Sequence, residues 1–163
     1  MPLDRALIES FTSLPADLRR IALGIPTRQQ TKRPAAGGFS LVEHACHLRD
    51  YESEGIQLRI TRILAEAGPA LADFPGDRLA VERKYNDQEF GGALRSFERK
   101  RNETLRVLAG LSDEQLDRKA VFGSEGRITL RRMIDIFAEH DATHRHELDE
   151  LAGELSARGL RRA

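Results

Sequence analysis

Apolar residues recur every three or four positions through most of this chain, and the strict alternation of a half-buried strand is nearly absent. Four segments carry the helical period. The first, from about Leu3 to Leu23, sets Leu7, Phe11, Leu14, Leu18 and Ile21 on one side. Pro15 inside it predicts a kink or a split into two shorter helices, because proline has no amide hydrogen to donate. Gly24 and Pro26 end the segment, and the polar stretch to Gly38 reads as a loop crossing the molecule.

The second segment starts at a capping-box pattern, Ser40 with Glu43, behind a hydrophobic staple at Phe39, and runs to about Ala67. A long connection, Gly68 to Asp87, follows; connections of that length in a small domain often drape over a pocket. Asp87 is the expected cap of the third helix, which continues through Leu108. Ser112 to Leu116 reads as a helical turn and Gly123 to Gly126 as a tight turn. The fourth helix runs from near Thr129 to about Leu155. Its inward stripe is Leu130, Ile134, Phe137, Asp141, His144, Leu148, Leu151 and Leu155, in alternating steps of four and three. Four long amphipathic helices with long crossover connections predict an all-α four-helix bundle, a single domain over residues 1–163.

Two polar residues in the middle of an apolar stripe draw attention to the histidines. All five fall into two clusters, His44 with His47, and His140 with His144 and His146. Residues four apart in a helix differ by roughly 40° in direction and ~6 Å in rise, so His140 and His144 point the same way. They are either core histidines hydrogen-bonded to neighbours or two ligands of one metal ion. The ion satisfies both rings at once, where two unpartnered imidazoles would each cost about 1–3 kcal/mol to bury. A third ligand must come from the first cluster. His44 and His47 differ by roughly 60° about the helix, so both can border one face, and periodicity does not choose between them. Asp50 and Tyr51 follow His47 closely enough to orient its ring or line a pocket. His44 is expected at the surface or beside a ligand, and His146, two residues from His144, on the exposed side.

Competing motifs fail on particular residues. The spacing of His140 and His144 resembles a zinc-protease pair, but Asp141 stands where that motif has glutamate, and no downstream Glu or Gly-x-x-His completes a known protease pattern. A di-iron bundle needs Glu-x-x-His on two helices, and Leu41, His44, Phe137 and Asp141 occupy the positions three before the candidate histidines. Cys46 neighbours His47 in sequence but points about 100° away, and reads as a small buried residue.

Composition narrows the class further. Lysine plus arginine balance aspartate plus glutamate at 26 each, which removes the electrostatic case for nucleic-acid binding; Arg99–Arg101 read as a solvated face. A single cysteine allows no internal disulfide and fits a reducing compartment. Asp4, Arg5 and Glu9 interrupt the N-terminal apolar stretch, and no apolar run approaches the ~20 residues of a membrane span. The expectation is a soluble cytoplasmic protein with a small-molecule substrate and neither nucleic acid nor membrane as partner.

The run FSLVEHACHLRDYE resembles the DinB/YfiT-like superfamily of metal-binding four-helix bundles. Members of that family show an aromatic, a small polar residue, an acidic residue and His-x-x-Asp here; Phe39, Ser40, Glu43, His47 and Asp50 match. A Gly-x-x-Thr-Leu start and a His-x-x-x-His on the last helix are matched by Gly126, Thr129, Leu130, His140 and His144, and residues 85–111 look like the family's third helix. The likeness covers roughly residues 38–152. It implies a divalent metal, commonly nickel or zinc, held by His47, His140 and His144, and it selects His47 over His44. The chain departs from the family at Phe39, where tryptophan is common, and at His146 and Glu147, where glycine and glutamine are frequent. The departures at 146 and 147 bear on the substrate side or on contacts in a homodimer.

Relatives in that family include transferases and isomerases dependent on low-molecular-weight thiols such as bacillithiol or mycothiol, and proteins described as metal-dependent hydrolases. The resemblance therefore implies an enzyme whose metal activates a thiol or a water against a small electrophile, thiol S-transferase-like. The alternative is a non-catalytic, stress-related interaction module that the metal braces. The two differ at the coordination sphere, since a bracing site would recruit Asp50, Asp141 or His44 and close it. No side chain marks itself as a partner acid or base; Arg101, Tyr51, Tyr85 and Asp141 are candidate pocket residues, each more readily structural than catalytic.

Overall fold

The computed structural model describes residues 3–160. Helix α1 (Arg5–Leu23) begins on Asp4, whose carboxylate accepts the Ala6 amide, and ends at Gly24. Helix α2 (Leu41–Asp50) passes directly into a wider π-helical stretch, Tyr51–Gln57, and then into α3 (Leu58–Ala65). Helices α4 (Gly76–Glu82), α5 (Phe90–Ala109), α6 (Asp113–Leu116) and α7 (Leu130–Leu160) complete the set. The capping box at α2 forms as its sequence predicts, Glu43 N donating to Ser40 Oγ at 3.1 Å and Ser40 N to Glu43 Oε2 at 2.9 Å.

Helix α1 packs against α5 and α7, and α2 packs against the same two. Helices adjacent in sequence, α1 with α2 and α5 with α7, thus lie across the diagonals of the bundle. The chain crosses over between them in residues 24–40 and again in 110–129.

Three expectations need correction. Pro15 does not divide α1. Its missing amide frees the carbonyl of Phe11, four residues back, and that carbonyl accepts a hydrogen bond from Arg101 Nη1 at 3.0 Å. The third helix is capped by Glu89, which accepts the amides of Gly91 and Gly92; Asp87 lies in a 3-10 turn before it. A small sheet is present: β1 (Ala70–Leu71) runs parallel to β2 (Lys119–Phe122), which pairs antiparallel with β3 (Gly126–Thr129). Strands of two to four residues are too short to impose a visible period of two.

The core has two apolar clusters separated by a polar layer. One gathers Leu14, Leu18, Leu41, Leu48, Leu94, Phe97, Leu148 and Leu151. The other gathers Phe11, Ile56, Ile60, Leu108, Leu130, Ile134 and Phe137 with the sheet residues Ala120 and Ile128. Between them in sequence, on every long helix but the first, sit buried polar side chains: His47 and Glu52, Arg101 and Thr104, Asp141 and His144. The π-helical stretch serves this layer. Gly55 lets the Tyr51 ring lie on its backbone, where a Cβ would meet that ring at 2.6 Å, and Glu52 is turned fully inward. No described helix is long and apolar enough to cross a membrane.

Candidate metal centre

The polar layer brings three imidazoles together. His47 comes from α2, His140 and His144 from successive turns of α7. His47 Nε2 lies 3.2 Å from His140 Nε2, and His144 Nε2 lies 3.1 Å from the same atom. Each of the three offers one nitrogen within 4.8 Å of the others. His47 and His144 are buried, and the His140 side chain keeps 21% of its exposure.

These contacts fit a cation better than they fit each other. A neutral imidazole nitrogen carries one proton or one lone pair, so His140 Nε2 can share only one hydrogen bond, and the second contact sets unshared nitrogens against one another. Donors 2.0–2.1 Å from an ion stand about 3.0 Å apart at octahedral angles and about 3.3 Å apart at tetrahedral ones. The observed separations fall in that interval.

The surroundings hold the rings in place. Tyr51 stacks on His140 with centroids 3.7 Å apart and planes at 20°, and its hydroxyl accepts from Arg59 Nη1 at 3.3 Å. Phe39 and Phe74 pack on His47 at centroid distances of 5.2 and 5.7 Å. The Gly76 amide donates to the Phe74 carbonyl across Pro75, whose φ −83° and ψ 65° make a tight three-residue turn. That turn presses Gly76 onto His47, where a Cβ would stand 2.6 Å from Cε1.

Burial, and then the neighbouring His144 and His140, hold the His47 pKa down to about 2. Burial, and then His144, hold that of His44 down to about 3. Burial also lowers His140, against an upward pull from Asp141. At neutral pH His44, His47 and His140 are therefore neutral, and His47 and His140 are ready to donate lone pairs. The Nδ1 atoms of His47 and His140 have no hydrogen-bond partner. His144 Nδ1 lies 2.8 Å from Glu147 Oε2 without the alignment of a hydrogen bond.

The carboxylates near the centre are committed elsewhere. Asp50 does not orient His47, the role its sequence position suggests; it accepts from Arg49 Nε, Arg83 Nη1 and Tyr85 Oη, each at 2.7 Å. Burial opposes its ionisation, but these donors outweigh it and hold the carboxyl down at about 2. Asp141 is not a pocket residue either. Arg101 grips it from inside the core and bonds Glu52 Oε2 from Nε at 2.8 Å, all three side chains being almost fully buried. Burial raises the Glu52 carboxyl; burial also opposes ionisation of Asp141, but Arg101 and His140 together outweigh it and hold that carboxyl down.

Of the remaining candidates, Tyr51 lines the centre, while Tyr85 is buried and serves Asp50. His44 is not at the surface but 1% exposed, edge-on to Phe39 and His144. His146 is exposed and pairs with Glu150. Cys46 is buried as expected, and burial pushes its thiol up to about 11. Sequence reasoning missed Phe74 and Gly76. An aromatic directly before Pro-Gly in a long connection is the signal that could have found them.

The sequence pattern of the DinB superfamily matches residues 10–148. No curated protein matches the chain in sequence. Among solved structures, YfiT from Bacillus subtilis is similar over 93% of this chain and 86% of its own, with a TM-score of 0.83 at 19% identity. That protein is described as a probable metal-dependent hydrolase with an unusual four-helix bundle topology. At this identity the likeness establishes the fold: a four-helix bundle whose connections cross its diagonals.

Proposed function

The chain belongs to the DinB superfamily, and from that premise we propose a metal-dependent enzyme acting on small electrophilic molecules. Its divalent cation, nickel or zinc, is held by Nε2 of His47, His140 and His144. The observation that carries this reading is the pair of contacts on His140 Nε2, 3.2 and 3.1 Å, of which a proton can bridge only one. A cation so held lowers the pKa of a coordinated thiol or water and makes a nucleophile available near neutral pH.

The protein's own groups bind, orient and exclude. Three neutral donors leave the cation its full charge and open positions. Of Asp50, Asp141 and His44, the residues able to close a bracing site, both aspartates are locked onto arginines and His44 lies outside the three-nitrogen group of His47, His140 and His144, which favours an enzyme over a non-catalytic module. Phe39, Phe74 and Tyr51 wall the centre with aromatic faces that exclude water and suit a sulfur ligand. The substrate approaches over His140, the most exposed of the three rings. The nucleophile assigned is a low-molecular-weight thiol; water is the second reading, favoured by the description of YfiT from Bacillus subtilis as a probable metal-dependent hydrolase.

A panel of small thiols, each offered a chlorinated arene or an epoxide, tests this. Turnover should require the metal and vanish in His47→Ala and His144→Ala. Metal-dependent hydrolysis without any thiol would make water the nucleophile. Absence of both reactions would leave the bracing module as the better account.

A further inference from the structure

The His144 ring faces two sets of donors. Its Nε2 points at His140, and its Nδ1 lies 2.8 Å from Glu147 Oε2. The same carboxylate oxygen is 4.0 Å from His44 Nε2. One donor atom from each of His44, His144 and Glu147 lies within 4.8 Å of the others. His44 is the independent observation. It is 1% exposed, its Nδ1 has no hydrogen-bond partner, and its Nε2 turns toward Glu147. A cleft of about 440 Å³, bordered by the Ala36–Gly38 loop and the acidic side of α7, opens onto this group.

We infer that His44, His144 and Glu147 form an outer divalent-cation site, separate from the inner three-histidine set but sharing the His144 imidazole. The donor types are those of a borderline transition metal such as zinc, two imidazoles and one carboxylate. The geometry is close to what such an ion needs. Donors around it stand about 3.0–3.4 Å apart, so Glu147 must swing by about half an ångström from His144 toward His44. It is free to do so, with 45% of its side chain exposed.

The shared ring fixes how the two sites relate. A neutral imidazole has one lone pair, on Nε2 for the inner set or on Nδ1 for the outer one. The sites are therefore alternative positions for one ion. The outer one carries the formal negative charge of Glu147 and borders the cleft, whereas the inner donors are all neutral. An ion entering from solvent is first captured beside Glu147 and then passes inward as His144 exchanges its ring proton between nitrogens.

Cobalt(II) is the probe. The double variant His47→Ala/His140→Ala leaves His144 free to serve the outer set. It should bind about one cobalt ion per chain, read by its visible absorption and by equilibrium dialysis. Adding Glu147→Gln or His44→Ala should weaken that binding by about tenfold or more. Circular dichroism and melting curves establish that each variant is folded. A folded double variant that binds no cobalt overturns the inference, as does binding that Glu147→Gln leaves unchanged.

If the double variant does not fold, the native chain gives a second measurement. Glu147→Gln should slow cobalt uptake by the apoprotein several-fold, followed by stopped flow, while the final stoichiometry stays the same. Equal uptake rates overturn the inference. Failure of the inner site is a distinct result, since it appears as loss of metal-dependent turnover while the double variant still takes up cobalt.

Discussion

Arg101 holds Asp141 with both ends of its fork, Nη1 to Oδ2 at 2.6 Å and Nη2 to Oδ1 at 3.2 Å, one residue from His140. The same guanidinium bonds Glu52 and takes the Phe11 carbonyl that Pro15 leaves open. It lies between the faces of Phe11 and Phe97, each 5.0 Å from its carbon. One cation thus ties three helices and the π-helical stretch at the level of the histidines. Replacing it strands two buried carboxylates. Arg101→Met should therefore lower stability by about 3–5 kcal/mol in denaturant unfolding. A loss below about 1 kcal/mol would mean that Glu52 and Asp141 take up protons in the variant without strain.

Gly76 meets His47 with no room between them. A Cβ there would stand 2.6 Å from Cε1 and 2.8 Å from Nδ1 of a ring already boxed by Phe39, Phe74 and Tyr51. Gly76→Ala should tilt His47 away from His140. Metal affinity should fall by about tenfold or more, while stability drops by about 1–3 kcal/mol from overpacking. Isothermal titration of the apoprotein against melting curves separates the two effects. Unchanged affinity would show that the ring moves without leaving the donor cluster.

What the sequence disclosed follows the physics of each feature. The four helices were legible because their apolar stripes persist over several turns, and the α2 start because Ser40 and Glu43 cap each other locally. His140 and His144 were legible as a pair because they share one helix. Periodicity alone did not choose His47 over His44, since both sit on the inner side of α2; the family resemblance made that choice. Pro15 read as a break because its compensating partner, Arg101, lies 86 positions away in the numbering (101 − 15). The same non-locality hid the role of Asp141. Beside His140 it was a candidate pocket residue, more readily structural than catalytic, but its partner, the α5 arginine, could not be read from the sequence. The strands were invisible because residues so few carry no period.

Acid should unfold the metal-free protein earlier than its carboxylates alone predict. His47 and His44 have folded pKa values lowered to about 2 and about 3 by burial first and by neighbouring histidines next. An unfolded histidine titrates near ~6.5, so between that pH and the folded values the unfolded chain binds more protons. Stability is fully present above about pH 6.5 and falls as pH drops, by on the order of 1 kcal/mol per unit for each ring. Asp50 adds a second loss in the same direction. Its depressed carboxyl stabilises the fold above the unfolded value of about 3.9, and that contribution disappears as pH falls toward about 2. Melting temperatures of the apoprotein from pH 8 to 4 should decline from about 6.5 downward. A flat profile to pH 5 would mean that the rings accept protons in place.

Metal should stabilise the fold without being required for it. The proposed ligands come from α2 and α7, and an unfolded chain does not hold His47 near His140 and His144. An ion at a hundred times its dissociation constant would then add about 2.7 kcal/mol. Removing it leaves both apolar clusters intact, because neither Leu14, Leu48 and Leu148 on one side nor Ile60, Ile134 and Phe137 on the other depends on the centre for burial. Chelation should lower the melting temperature by several degrees and leave the helical circular dichroism unchanged. His144→Ala, which removes a donor from both sets, should abolish that shift; His47→Ala and His140→Ala should each reduce it to what the outer set can hold, and His146→Ala, exposed on the far side of α7, should preserve it. A full shift surviving in His144→Ala would show that its imidazole only packs in the polar layer. Outright unfolding on chelation would mark the centre as a structural brace, because a bundle with two complete apolar clusters has no other reason to collapse when one ion leaves.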